Sequence, residues 1–421
     1  MRAAYLGVVA TVVLSHAVLA EDKSSYALPK PTGQFFVGRT VEWWTDHARR
    51  EQATLEGNER ELQAIIYYPA NGAGKHAAYY PGLTGLGGMS ETKLLARHFG
   101  SAWAAVEGGL VQSNAYADAP FSKNLGKCPV LVFSPGGSAP VLAYSAQLEE
   151  LASHGYVAVG LNHPHDTALI IRPDHRLIPF VDQSPQQSGP PSVAGLQADL
   201  EVVRRWTADT KFALDQLEIA SRKKHGILFK HLNLSRIGVL GHSLGGKAAA
   251  RLCQIDHRVK ACLNEDGELF GIPFGSNQPV PSVIPGRRMR APFVDIYVAE
   301  RLASDAQLAA VHVTREQFEG WRRSKTEALR AFLRSNVRDS YLVVIRRPGF
   351  THGGFMDIAE LGAVVARTSK STAQSNLELA NDLTLAFFDA MLKHDNGNWR
   401  QLVMNPPEAV SIESFGKRHI Q

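Results

Sequence analysis

Cysteine is scarce in this chain of 421 residues, which has three, at Cys128, Cys253 and Cys262. Neither a CxxC pair nor a Cys/His cluster occurs, so the spacing gives no structural zinc site. Three thiols permit one disulfide at most. Cys128 and Cys262 read as members of core strands and Cys253 as part of a helix, so buried free thiols are expected. Charge of one sign is also in short supply: 45 basic against 40 acidic residues leave +5, too mild for a nucleic-acid footprint. Long apolar runs are confined to the first twenty residues, where Arg2 precedes an apolar stretch from Tyr5 to Leu14, and Val18-Leu19-Ala20 precedes Glu21-Asp22. That pattern predicts a cleavable secretory signal over 1–20, too short for a comfortable membrane span. The expected product is a secreted chain, extracellular or periplasmic, with a single domain over 21–421. The sequon Asn233-Leu-Ser235 would carry glycan only in a eukaryotic secretory pathway.

What is present is an alternation of apolar runs with helical patterns. Strands are predicted near 62–68, 128–134, 156–161, 236–240, 259–264, 292–298 and 341–346. Helices are predicted near 143–153, 196–220, 245–253, 314–334 and 372–393. Strands spaced by helices predict an α/β class with a mostly parallel central sheet covered on both faces. Two segments, 169–195 and 301–339, read as surface insertions or lids; the first contains a polar, proline-rich loop over 183–192. The last helix should pack on the sheet and hold the loop that precedes it.

Residues 236–247, Arg-Ile-Gly-Val-Leu-Gly-His-Ser-Leu-Gly-Gly-Lys, run from an apolar strand into Gly241-His242-Ser243-Leu244-Gly245. A serine between glycines where a strand turns into a helix is the signature of a nucleophile elbow. A serine hydroxyl is a weak nucleophile until a base takes its proton and an acid orients that base. Downstream, a strand over 259–264 ends in Glu265-Asp266-Gly267, which offers Asp266 or Glu265 as the acid. Glu300, after the next strand, is the alternative acid, and Asp295 in mid-strand is poorly placed. The strand Tyr341–Ile345 leads to Thr351-His352-Gly353-Gly354, which places His352 in a glycine-rich loop as the base. The order serine, acid, histidine is that of an α/β-hydrolase. An oxyanion hole needs two backbone N–H groups, which Leu244 and Gly137 of Ser134-Pro135-Gly136-Gly137 can supply.

Five segments together resemble the plasma-type platelet-activating factor acetylhydrolase family. They are Val130–Gly137, Leu148–His163, the elbow, Asn264-Glu-Asp-Gly, and Thr351-His-Gly-Gly-Phe-Met-Asp357. Arg60–Pro69 and Asp199–Leu217 extend the likeness, which covers most of residues 36–395. The resemblance implies an α/β-hydrolase fold, Ser243 as nucleophile, Asp266 as acid, His352 as base, and Gly137 and Leu244 as oxyanion donors. It implies a serine esterase that removes short or oxidised acyl groups from phospholipids without calcium, with no cofactor and no metal. The better-known animal members have His-Gly-Leu where this chain has Pro135-Gly136-Gly137, a change that bears on substrate choice more than on chemistry. A general carboxylesterase or polyester hydrolase is the alternative reading. A silent binding protein on the same scaffold is a third, disfavoured by the complete residue set.

Two further features invite function. Thr314 to Arg338 reads as an amphipathic basic helix with a stripe of Phe318, Trp321, Leu329, Phe332 and Leu333. Packing of the stripe on the body is expected; contact with a lipid surface is the alternative. His163-Pro164-His165-Asp166 follows a strand and reads as a rigid wall of the active-site cleft in preference to a metal site. No obligate protein or nucleic-acid partner is suggested.

Overall fold

A computed structural model describes residues 26–54, 57–72, 74–182, 192–273, 278–299, 304–310, 312–365 and 371–416. The expected signal segment, most of the proline-rich loop and Glu300 lie outside these residues. Among the described residues, twelve strands form one sheet. Ten of them make its body: β1 (Phe36–Arg50), β2 (Glu59–Ala70), β3 (Val111–Ala117), β4 (Cys128–Ser134), β5 (Val157–Asn162), β6 (Leu232–His242), β7 (Val259–Glu265), β8 (Phe293–Val298), β9 (Ser340–Ile345) and β10 (Val410–Phe415). Their spatial order is β3-β1-β2-β5-β4-β6-β7-β8-β9-β10. The run from β5 to β9 is parallel, whereas β2 and β10 pair antiparallel on either side of it.

A parallel sheet needs cover on both faces, and the strand sequences show it. In β4, Leu131 and Phe133 enter one apolar cluster while Val130 and Val132 enter the other, the period of two that a pleated strand imposes. Helices α1 (Ser145–Ser153) and α5 (Ser371–Phe388) line the first cluster; α2 (Val193–Ala220) and α3 (Leu244–Ile255) line the second, with α4 (Arg315–Ser335) beside them. From β4 the chain crosses to β5 on one side, then returns to β6 on the other. Strand order reverses there, so the carboxyl ends of β4 and β6 lie at the switch point where such sheets bind ligands.

Two expectations are corrected or decided here. Cys253 and Cys262 form a disulfide, with Cα atoms 6.3 Å apart, which ties α3 to β7, and only Cys128 remains a buried free thiol among the described residues. The expectation of free thiols failed because a nine-residue separation looked like strand after helix, whereas the turn at Asp256 brings the two back side by side. The basic helix lies on the body. Its N-terminus carries the capping box formed by Thr314 and Gln317. Phe332 packs on Phe270 and Phe293, Leu333 is buried, and Trp321 donates its indole N–H to the Ile272 carbonyl at 2.9 Å. The stripe from Trp321 to Leu333 is therefore spent on packing, while Phe318, part-buried, stacks on Trp321 of the same helix.

Candidate active site

Ser243 has φ 54° and ψ −117°, a strained conformation for a residue with a Cβ. Its neighbours allow the turn. A Cβ on Gly241 would lie 2.5 Å from the Gly245 carbonyl carbon, and one on Gly245 would lie 2.0 Å from the Ser134 carbonyl oxygen. Only hydrogen fits at either place. Backbone bonds fix the elbow between its neighbouring strands, with Ser243 N–H donating to Glu265 O at 2.8 Å and Gly245 N–H to Pro135 O at 3.1 Å.

Asp266 follows β7 with φ 51°, and its Oδ1 accepts the Val298 N–H at 2.8 Å. Its Oδ2 lies 2.6 Å from Nδ1 of His352, which opens a short turn after β9. The structure thus brings Ser243, Asp266 and His352 to one edge of the sheet, on β6, β7 and β9. The imidazole lies against His242, the residue before Ser243, with ring centroids 4.4 Å apart. The Ser243 hydroxyl is not hydrogen-bonded to it here, a contact that commonly tightens only when substrate fills the site. α5 holds the histidine loop from behind: Arg347 donates to Ser375 O at 2.8 Å and Asn376 to Gly349 O at 3.1 Å.

The two carboxylates at the end of β7 point in different directions. Glu265 points into the protein, where Gln147 Nε2 donates to it at 2.6 Å and Thr384 Oγ1 at 3.2 Å, and burial pushes it up to about 7. Asp295, bonded by Asn264 Nδ2 at 2.9 Å, is likewise buried and raised to about 7. Neither touches His352. Asn264 also closes the turn after Asp266, accepting the Gly267 N–H and donating to the Gly267 carbonyl.

Gly137 and Leu244 are neighbours: a Cβ on Gly137 would come within 2.6 Å of Leu244 Cδ1. Gly137 follows β4 and Leu244 follows β6, so both backbone N–H groups lie at the carboxyl ends of neighbouring strands. Sequence reasoning missed the groups that steady this loop. Tyr144 accepts the Gly136 N–H at 3.0 Å and sits 2.8 Å from His242 Nδ1. Ser138, at φ 60°, places its hydroxyl 3.1 Å from Nε2 of His98, on a helix over Lys93–Phe99.

His163 is not a cleft wall. Wholly buried, it places Nδ1 2.8 Å from Asp209 Oδ2 and Nε2 3.2 Å from Ser134 Oγ, and stacks on Trp206. Asp209 in turn accepts two bonds from Arg60 and one from Arg49. Both imidazole nitrogens are thus occupied by protein partners. His165, half-buried, bonds the Pro179 carbonyl at 3.0 Å and does not join His163 in a cluster.

The sheet order, the strained serine elbow and the acid and histidine at the carboxyl edge define an α/β-hydrolase fold. A solved structure titled as a ferulic acid esterase from Streptomyces cinnamoneus has this fold, with a TM-score of 0.64 and 20% identity over 92% of this chain and 99% of the other. The sequence profile of the family described as platelet-activating factor acetylhydrolase, isoform II, matches residues 20–173, a span that includes Gly137 but ends before the elbow. A protein of Arthroderma benhamiae named as a probable 1-alkyl-2-acetylglycerophosphocholine esterase is 30% identical over 278 residues, 63% of this chain. The matched region spans just under two thirds of that relative, 65% of its length. The chain is thus similar to the platelet-activating factor acetylhydrolase isoform II family over residues 20–173.

Proposed function

We propose that the protein is a secreted, calcium-independent serine esterase that hydrolyses short or oxidised sn-2 acyl esters of phospholipids. The observation that carries the reading is the 2.6 Å contact between Asp266 and His352 on the same sheet edge as the strained Ser243. In this mechanism His352 Nε2 takes the Ser243 proton as Oγ attacks the ester carbonyl. Asp266 accepts the Nδ1–H, which sets the tautomer and stabilises the imidazolium. The N–H groups of Gly137 and Leu244 receive the charge that develops on the carbonyl oxygen. Collapse expels the lysophospholipid oxygen with the proton from His352 and leaves an acyl-Ser243 ester. Water, deprotonated by His352, then releases the carboxylic acid and restores the serine.

The likeness to the acetylhydrolase family over residues 20–173 and the name of the fungal relative support the substrate class. Secretion draws support from the Met1–Ala20 pattern and from the Cys253–Cys262 disulfide, a bond of oxidising compartments. The test is hydrolysis of phosphatidylcholines graded from acetyl to palmitoyl at sn-2, beside p-nitrophenyl esters, with and without EDTA. Preference for the acetyl lipid, unchanged by EDTA, is expected. Ser243→Ala should lose turnover and fluorophosphonate labelling together, a loss on the order of 10⁴ to 10⁶. Turnover retained in that variant would overturn the nucleophile assignment. Preference for p-nitrophenyl esters with no lipid hydrolysis would move the substrate class to general carboxylic esters.

A further inference from the structure

Two buried side chains that the mechanism leaves unused connect its two halves. Tyr144, fully buried, accepts the N–H of Gly136, the residue before the oxyanion donor Gly137, at 3.0 Å. Burial keeps its phenol protonated far above the ordinary range, so its O–H proton needs an acceptor. His242 Nδ1, 2.8 Å away, is that acceptor. A neutral imidazole whose Nδ1 accepts must carry its proton on Nε2. That Nε2 is buried without a hydrogen-bond partner and lies within electrostatic reach of the His352 main chain. The His242 ring packs 4.4 Å from the ring of His352 and 5.3 Å from that of Phe355. Space is tight throughout: a Cβ on Gly136 would lie 3.0 Å from His242 Nδ1 and 3.1 Å from the Tyr144 oxygen.

We infer that Tyr144 and His242 are positioning residues, a neutral bridge that fixes the oxyanion loop and the His352 ring relative to each other across Ser243. The inference rests on the reading of Ser243 and His352 given above. Cation formation on His242 would break the bridge, because an imidazolium cannot accept the tyrosine proton. Burial first, and then the adjacent His352, hold His242 well below the ordinary histidine range and keep it neutral. The other ionisable groups acting on the Tyr144 phenol are the carboxyls of Glu265 and Asp357, both buried.

The geometry makes the two ends of the bridge separable. Tyr144→Phe keeps the ring and removes the hydroxyl, which leaves the Gly136 N–H unpaired and the His242 tautomer unset. His242→Asn keeps an acceptor where Nδ1 stood, so the tyrosine and the oxyanion loop stay joined, while the ring contact with His352 is lost. The measurements are kcat and KM on a soluble p-nitrophenyl ester, with folding checked by circular dichroism, and the ring-nitrogen NMR shifts of His242 in the wild type. Tyr144→Phe should lower kcat about 10- to 100-fold with little change in KM, the scale expected when catalytic groups are misplaced by a fraction of an ångström. His242→Asn should retain more activity than His242→Phe, which removes the acceptor as well. The nitrogen shifts should report a neutral Nε2–H tautomer near pH 7.

An unchanged kcat in folded Tyr144→Phe, or equal losses in His242→Asn and His242→Phe, would overturn the bridge. So would an Nδ1–H tautomer in the wild type, a measurement that decides the matter even if Tyr144→Phe fails to fold. A wild type without esterase activity would sink the reading of Ser243 and leave the tautomer measurement standing, so the two failures are told apart.

Discussion

Among the described residues, serine, histidine and aspartate meet at the sheet edge and again in the interior, and the better-bonded set is the buried one. At the sheet edge, Asp266 and His352 are 2.6 Å apart beside Ser243, and the histidine side chain is 55% exposed. In the interior, Asp209 binds His163 at 2.8 Å and Ser134 completes the set at 3.2 Å, with the histidine at 0% exposure. The interior set has no serine on a strained turn, since Ser134 is a residue of β4. Its acid is held by Arg60 and Arg49, and its imidazole is covered by Trp206. Residue types and pairwise distances do not make a nucleophile. Exposure, a serine lifted out of its strand, and free N–H groups ahead of it do.

The largest effect that sharpens this contrast is expected at the two acids. Asp266→Asn should lower kcat on the order of 10⁴, because the amide cannot hold the Nδ1–H tautomer or stabilise the imidazolium, while the melting temperature hardly moves. Steady-state kinetics and a thermal scan on the same preparation check both halves. Asp209→Asn should do the reverse. Burial opposes its charge, yet Arg60 and the hydrogen bonds from Arg60 and His163 hold the carboxyl well below its usual range. Removing that charge leaves Arg60 with Glu51 and Asp166 but without its two bonds to Asp209, and leaves His163 without its carboxylate, at a cost of about 3 kcal/mol in chemical denaturation. Kinetics of whatever fraction stays folded should be near normal. Equal catalytic losses at both acids would erase the distinction.

A second contrast lies within the buried carboxyls themselves. Asp209 is paired with cations, whereas Asp357 is held by the backbone N–H groups of Ser145 and Ala146 and by the Tyr79 hydroxyl, all neutral donors, and burial pushes it up to about 8. Its folded value exceeds its unfolded one, so the folded state keeps a proton that the unfolded chain has released. The stability from this group is complete below the unfolded value near 4 and is lost as pH rises through about 8. Asp357→Asn mimics the protonated acid. The difference in melting temperature between wild type and variant should therefore move in favour of the variant between pH 6 and 9. A constant difference across that range would mean Asp357 is not protonated in the fold.

Much of the site was legible because its chemistry is local. Gly241 to Gly245 announce the elbow in five residues, and Asp266 and His352 each follow an apolar run that ends in a glycine turn. The strands predicted over 128–134 and 259–264 appear at Cys128–Ser134 and Val259–Glu265. What was not legible is whatever depends on cross-sheet distance. β1, fifteen residues long, buries Arg39 and Asp46, so its pattern lacks the alternation that betrays a strand. β10 is an edge strand with one mostly wetted face, which reads as loop. His163 looked like a functional histidine because its partner Asp209 is 46 residues away on α2, and nothing in His-Pro-His-Asp shows that both nitrogens are spoken for. The Tyr144–His242 contact, between residues 98 apart, was hidden for the same reason.

The smallest expected effect is the most direct trial of the comparison. Ser134 gives the interior set its hydroxyl, 3.2 Å from His163 Nε2 and 3.4 Å from Thr210 Oγ1. With Nδ1–H donated to Asp209, Nε2 is an acceptor, so the serine proton goes to it. Ser134→Ala leaves that lone pair buried and unpaired, a loss of about 1–2 kcal/mol in chemical denaturation. Activity should stay within about twofold, since the alanine keeps the β4 backbone that carries Pro135 and Gly137, and the loop remains tied by Tyr144 and the Gly245–Pro135 bond. A stability loss without a kinetic one would confirm that the interior serine is a strut. A hundredfold drop in kcat with the melting temperature unchanged would mean the opposite: that Ser134, at the end of the strand that leads to the oxyanion loop, acts on the reaction through that loop.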